Sequence, residues 1–444
     1  MMTRTRSAYV GSLALLILLF LLPRVGSAQE AKKFYTLQES VAEAISNSWD
    51  IRQIEQRIYQ AEYLKKQARA DFLPRLGMTY TALYSDEPEA FPVPGGAAGP
   101  FVTSKDYYEW QGTLTQPIFT GFSLLSSYEL AKLGIDQAQI QLEQAGLELA
   151  LRVKEGYFDI LGADKTVEVG QKDVEARESA YKVASSFYKV GMIPINELLQ
   201  AEVELANSKQ ALVRAEIAAR TARAAFNTIL ARPVNEPFDI QDILTYKPSG
   251  GDYESFVKEA LANRPEIRAV ENRLLQADQQ IRLAKSKYYP EIAFNYDYIK
   301  DGDSFDVSGF PGDEDTGRWE ATAVATWTFW QWGKTYYSMK EQESAKKELF
   351  QAKWALDDQI RLEVKEAMLA LEREEKNIPT TQKAVEQGEE NLRVSSERYK
   401  AQVTTITEVL DAQTRLSQAR LNYYRALYDH NLARARLEKA IGTY

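Results

Sequence analysis

The chain of 444 residues contains no cysteine and a single histidine. Without thiols there is no disulfide framework and no thiolate metal site. Stability must come from buried area, which a chain of this length can supply. One histidine cannot form a histidine-based metal cluster, and no phosphate-cradling glycine loop or nucleophile elbow occurs, so no cofactor, no metal and no catalytic residue is expected. Long apolar runs are scarce too. The one continuous run, Leu13–Leu22, is shorter than the ~20 residues of a spanning helix. Arg4 and Arg6 precede it and Gly26-Ser27-Ala28 follow it, the order of a secretory signal peptide cleaved after Ala28. No cysteine follows to carry a lipid, and the twin-arginine pair is missing. Basic excess is also absent. The net charge is −9, and loss of residues 1–28, with their three arginines and no acid, leaves −12. An acidic exported chain is not suited to nucleic acid.

What the chain has in abundance is repetition. Residues 41–80 align with 257–296 at a spacing of 216, pairing Val41 with Val257, Glu43 with Glu259, Asn47 with Asn263, Pro74 with Pro290 and Tyr80 with Tyr296. From about 119 to 231 the spacing is 211, so that Val153-Lys154-Glu155 matches Val364-Lys365-Glu366 and Tyr188-Lys189 matches Tyr399-Lys400. The step of five lies between Pro74 and Phe119, in or beside a loop. A duplication of this length sets the architecture. After the signal peptide it divides the chain into a first repeat at 29–235, a linker at 236–252 and a second repeat at 253–444.

Segments 37–72, 123–189 and 195–230, with their copies 253–288, 334–398 and 405–441, read as very long or paired helices. Segment 123–189 contains no proline and at 1.5 Å per residue spans on the order of 100 Å. Pro379 is expected to kink or interrupt its copy. Ala131, Ile135, Ala138, Leu142, Ala145 and Leu149 alternate spacings of four and three, the 3.5-residue period of knobs-into-holes packing. His430 lies on such a stripe where the first half has Ala219, and reads as a packed or interfacial residue.

Between the first and second helices of each half the period falls to 2. Leu76, Met78, Tyr80, Ala82 and Tyr84 alternate with small or polar residues, as do Tyr108, Trp110, Gly112 and Leu114. In the second half Ile292, Phe294, Tyr296 and Tyr298 do the same, followed by Trp319, Ala321, Ala323, Ala325, Trp327 and Phe329. These are the hairpins expected at about 75–119 and 291–331. Apolar, aromatic-ended segments of ~10 residues with one wet face are the pattern of transmembrane β-strands. Their connections, Asp86–Asp106 and Lys300–Gly317, are long and polar, as suits the extracellular side. Asp301, Asp303 and Asp306 lack EF-hand spacing and read as an acidic rim. Four strands cannot close a barrel, and an open edge in lipid leaves backbone groups unsatisfied. Several copies must therefore assemble, and symmetry alone does not choose between dimer and trimer.

Export signal, tandem repeat, paired strands between long helices, and the tips Tyr188-Lys189-Val190-Gly191-Met192-Ile193-Pro194 and Tyr399-Lys400-Ala401-Gln402-Val403-Thr404-Thr405 occur together with Gln116-Pro117-Ile118-Phe119-Thr120-Gly121. In this combination the chain resembles the TolC-type outer-membrane efflux proteins over essentially its whole mature length. The resemblance implies an α+β membrane protein: a long α-helical coiled-coil barrel continuous with a transmembrane antiparallel β-barrel, four strands per chain, completed by trimerisation. It implies a homotrimeric duct in the outer membrane of a Gram-negative bacterium, extending through the periplasm, in contact with outer-membrane lipid. A periplasmic adaptor (membrane fusion) protein and an inner-membrane transporter of RND, ABC or MFS class would dock at the tips, near 188–200 and 399–411. The duct would export small molecules or polypeptides in tripartite efflux or type I secretion.

By the same resemblance, Glu408 and Asp411 fall where acidic residues line the periplasmic mouth and set selectivity or gating. Tyr399, Asn196 and Glu197 fall on gate contacts, and Val190, Gly191, Met192, Val403 and Thr404 on the adaptor-docking tips. A base that helps latch the gate in some members is Thr404 here, and Gln402 stands opposite Gly191. The competing reading is a periplasmic coiled-coil scaffold or adaptor without a membrane pore, which has no need of four aromatic-ended strands.

Overall fold

The computed structural model describes residues 33–92, 101–248, 250–310 and 317–444; the signal peptide expected at 1–28 lies outside them. The first half runs β1 (Lys33–Tyr35), α1 (Leu37–Asn47), α2 (Trp49–Ala70), β2 (Arg75–Pro92), β3 (Phe101–Thr120), α3 (Ser123–Lys189) and α4 (Ile195–Ile229). The second runs β4 (Phe238–Ile240), α5 (Tyr253–Asn263), α6 (Pro265–Ser286), β5 (Glu291–Gly302), β6 (Arg318–Thr326), α7 (Lys334–Lys400) and α8 (Ile406–Ala440). The order is the same in both halves. So are the helix lengths: 11 residues for α1 and α5, 22 for α2 and α6, 67 for α3 and α7, and 35 for α4 and α8.

The segments expected at 37–72 and 253–288 are each two helices, broken at Ser48 and Arg264. The breaks occupy equivalent positions but rest on different chemistry. Ser48 is extended at ψ 131° and its hydroxyl accepts from the Ile51 N–H, an N-cap for α2. Arg264 precedes Pro265, whose ring pushes the preceding residue out of the helical region, here to ψ 125°. Pro379, by contrast, does not interrupt α7. The helix forgoes one backbone hydrogen bond there, while the preceding Ile378 is buried in the core, so packing carries the helix through the proline.

Conformations that strain ordinary residues recur in both halves at the 211 spacing. Gly121 (φ 62°) corresponds to Trp332 (51°), Phe122 (71°) to Gly333 (82°), Gly191 (76°) to Gln402 (57°), and Ala231 (54°) to Gly442 (82°). Each pair has one glycine, so one copy of every turn holds a side chain in a left-handed conformation. The strand entries at Pro74 and Pro290 are likewise clamped by an ion pair in each half, with the charges exchanged: Arg75 to Asp71 at 2.8 Å and Lys287 to Glu291 at 3.1 Å.

Helix contacts place α3 and α7 as two full-length staves. Toward the tips α8 lies against both, and toward the sheet α6 does; α4 and α2 pack on the other flank of α3. At mid-length β1 pairs in parallel with β4, drawing the expected 236–252 linker onto the first half. Tyr35, Phe238, Tyr157 and Phe226 form the core there, and the Tyr157 hydroxyl donates to the Gln241 carbonyl at 2.8 Å. His430 is fully buried on the α8 stripe, its ring 5.2 Å from that of Tyr246.

The four long strands form one antiparallel sheet in the order β2-β3-β5-β6. Register unites the alternating faces. Leu76 lies opposite Leu114, Tyr80 opposite Trp110, Leu114 opposite Tyr296, and Tyr296 opposite Ala321, so the apolar positions share one face. Among the described residues nothing covers much of it: Leu76 is 82% exposed and Trp319 66%. The other face is polar, with Gln111 and Thr113 both donating to Asp297, at 2.9 and 2.6 Å. The hairpins differ from expectation in their extents. β2 and β3 continue into the expected 86–106 loop, leaving 93–100 outside the described residues. β6 stops at Thr326, short of Trp327 and Phe329, and residues 311–316 of the second connection also lie outside the description.

Candidate functional site at the helix tips

Both tips turn by the same chemistry. At the end of α3 the Gly191 N–H donates to the Tyr188 carbonyl and the Met192 N–H to Phe187, both at 2.9 Å. At the end of α7 the Gln402 N–H donates to Tyr399 and the Val403 N–H to Arg398, again at 2.9 Å. This is the Schellman closure, which calls for a left-handed residue at its bend. Gln402 adopts that bend without being glycine, so the difference from Gly191 leaves the fold of the tip intact. Pro194 and Thr405 are extended and start the return helices. Beyond the turns Val190, Met192 and Val403 stand exposed at 68%, 51% and 67%, apolar side chains presented at the extremity of the molecule.

The two tips pack on each other. Ala184, Ala201, Tyr399, Ile406, Val409 and Leu410 form a shared core, flanked by Phe187 and Leu198. The Tyr399 ring lies 5.7 Å from that of Phe187 and is buried, and its hydroxyl has no hydrogen-bond partner among the described residues. Burial, then the Glu197 carboxylate, push its pKa up to about 12. Glu197 reaches from α4 to the first turn of α8, accepting from the Ile406 N–H at 3.4 Å, where the partial positive charge of a helix start favours a carboxylate. Gln200 accepts from Thr407 at 3.1 Å beside it. Among the described residues no hydrogen bond joins Glu197 to Tyr399, and Asn196 is exposed and makes none.

The two acidic residues of the second tip differ sharply. Glu408 turns back on its own hairpin, accepting from Arg398 at 2.8 Å, from Ser395 at 3.4 Å and from the Thr404 hydroxyl. Asp411, one turn further along α8, is exposed and has no ion pair among the described residues. Thr404 itself donates to Glu408, and the base paired with that carboxylate is Arg398 of α7, a residue that sequence reasoning passed over. Its counterpart in the first half is Phe187, so the repeat gave no signal for it. A second network missed in the sequence lies higher up. Arg177 is buried between Asp173 and Glu204, at 2.8 Å from each, and donates to Thr414 of α8 at 3.0 Å, tying the two hairpins together.

Long paired helices carry at one end a sheet with an exposed apolar face. A family model described as outer membrane efflux protein matches residues 41–232 and again 256–443, and the chain belongs to that family. Among curated relatives it is similar to Nodulation protein T of Rhizobium leguminosarum bv. trifolii, 22% identical over 348 residues, covering 71% of this chain and 67% of that one. Among solved structures it is similar to CusC, at TM-score 0.77 and 15% identity over 92% of both chains. It is also similar to the Campylobacter jejuni CmeC outer membrane channel, at TM-score 0.75 and 16% identity over 91% of this chain and 85% of that one. The protein is an outer-membrane efflux channel of the tripartite kind, and the scaffold reading without a pore is not favoured.

Proposed function

We propose that three copies of the chain close into one duct, with twelve strands in the outer membrane and a helical barrel through the periplasm. The observation that carries this is the pair of open edges. β2 and β6 end the sheet without partners among the described residues, and lipid does not tolerate unpaired strand edges. The helices lead to the same arrangement. α6 and α8 each pack extensively against both α3 and α7, whereas their counterparts α2 and α4 pack extensively against α3 alone of these two staves. The α7 of a second copy would complete that packing. Exposed Tyr63 on α2, Val213 on α4 and Trp354 on α7 supply apolar surface for it.

In this duct Glu408 and Asp411 stand at the periplasmic mouth and govern selectivity and gating. Tyr399, Asn196 and Glu197 are gate contacts, and Val190, Gly191, Met192, Val403 and Thr404 receive a periplasmic adaptor. An inner-membrane transporter of RND, ABC or MFS class drives small molecules or polypeptides through it, and the mature chain starts after Ala28 without lipid. Because the chain is free of cysteine, the ring can be tested directly. Cysteine at Thr79 in β2, scanned against single cysteines along β6, should give an oxidised ladder ending at a trimer. A ladder confined to monomers or dimers overturns the reading.

A further inference from the structure

The sheet meets the helices at one level, where α2 and α6 end and α3 and α7 begin. Around that level large aromatic side chains are exposed: Trp332 at 86%, Trp330 at 65%, Phe122 at 54% and Tyr289 at 47%. Such a girdle marks the headgroup region of a bilayer. Just beyond it stand Lys66, Arg69, Arg282, Lys285 and Lys334, all exposed and none with an ion pair among the described residues. Each lies within four residues of a helix end at the junction, about 6 Å along the axis. The carboxylates at this depth, Asp71 and Glu291, are both taken up by a base four residues away.

Helix dipoles account for only part of this charge. Bases in the last turns of α2 and α6 complement their C-termini, but Lys334 opens α7, where a base is unfavourable. The first turns separate the two causes. Six helices start away from the sheet and each carries an acid there: Glu39, Asp50, Glu197, Glu254, Glu266 and Glu408. The two that start at the sheet, α3 and α7, carry none. Carboxylates are withheld where the helix favours them, and an excess of base is kept, in a chain that is acidic as a whole. An anionic surface at that level explains both.

We infer that this collar binds anionic phospholipid headgroups of the leaflet facing the helices. The inference rests on the membrane reading of the sheet and adds a lipid preference to it. The full chain is reconstituted in phosphatidylcholine nanodiscs containing phosphatidylglycerol, and the lipids retained by the protein after gentle detergent extraction are measured by mass spectrometry. Phosphatidylglycerol should be enriched at least about fivefold over its bulk share, the factor expected from roughly 1 kcal/mol for even one surface base. The enrichment should collapse at 1 M salt, where the Debye length falls to about 3 Å, and should resist millimolar inorganic phosphate.

A variant carrying Lys66→Gln, Arg69→Gln, Arg282→Gln, Lys285→Gln and Lys334→Gln should retain lipid at the bulk ratio, while Lys182→Gln far down α3 keeps the enrichment. Bulk-ratio lipid around the unmodified protein, or undiminished enrichment in the fivefold variant, overturns the collar. If that variant does not insert, the salt series on the unmodified protein decides. Failure of the unmodified protein to enter bilayers at all refutes the membrane reading instead.

Discussion

Arg398 Nη1 lies 2.8 Å from Glu408 Oε1, so the base on the last turn of α7 holds the acid on the first turn of α8 across the second tip. The Glu408 side chain is 39% exposed, and such a pair contributes at most about 1 kcal/mol. In the proposed duct its effect is on charge at the mouth. Arg398→Gln should leave the melting temperature nearly unchanged and release a carboxylate toward solvent. In planar bilayers under a KCl gradient the reversal potential should move toward stronger cation preference. No movement would place Glu408 away from the permeation path.

Asp411 has no such counter-charge among the described residues. Asp411→Ala should therefore weaken divalent block more than Glu408→Ala does, since the Glu408 carboxylate is already occupied by Arg398, Ser395 and Thr404 and offers less to a cation. Titration of single-channel current with Mg2+ distinguishes the two. Equal effects of the two substitutions would mean that the Arg398 pair opens in the assembled mouth.

The tips make a paired prediction. Gln402 holds φ 57° and Gly191 φ 76°, and a side chain there costs about 1–2 kcal/mol relative to glycine. Gln402→Gly should stabilise the protein by about 0.5–1 kcal/mol after the added chain entropy and so raise the thermal midpoint, and Gly191→Ala should lower it. Scanning calorimetry of the detergent-solubilised protein reads both shifts. A fall with Gln402→Gly would show that the side chain makes a contact worth more than the strain.

His430 predicts acid sensitivity at mid-length. Burial lowers its pKa; Glu375 and Glu374 oppose the shift and Arg434 adds to it. The unfolded chain takes up this proton near the ordinary value of about 6.5, and the native state does so only lower. Below about pH 6.5 the unfolded state binds more protons, so stability is full above that pH and is lost as pH falls through the native pKa. His430→Leu should flatten this part of the profile. Comparing thermal midpoints at pH 7.5 and 5.5 tests it; an unchanged difference would assign the acid sensitivity elsewhere.

Much of the fold was legible because its signals are local. The 211 spacing that matches Tyr188-Lys189 to Tyr399-Lys400 also matches the left-handed turns, and the period of 2 from Leu76 to Tyr84 lies within β2. Less of the site was legible. Tyr399 lies in a core shared by four helices, and Glu197 crosses between the hairpins to the Ile406 N–H. Arg398 carries no mark of its role in sequence, since its partner lies ten residues away across a turn.

The sequence by itself determined the duplication, the lengths of the staves and the polarity of each strand face, because propensity and periodicity act over a few residues. Tertiary structure decided that α7 runs through Pro379, that β3 pairs with β5, that β4 joins β1, and that Glu408 is bound to Arg398 while Asp411 has no ion pair among the described residues. Each of these depends on packing or pairing between segments distant in the chain or across a turn, where burial and opposite charge outweigh local preference.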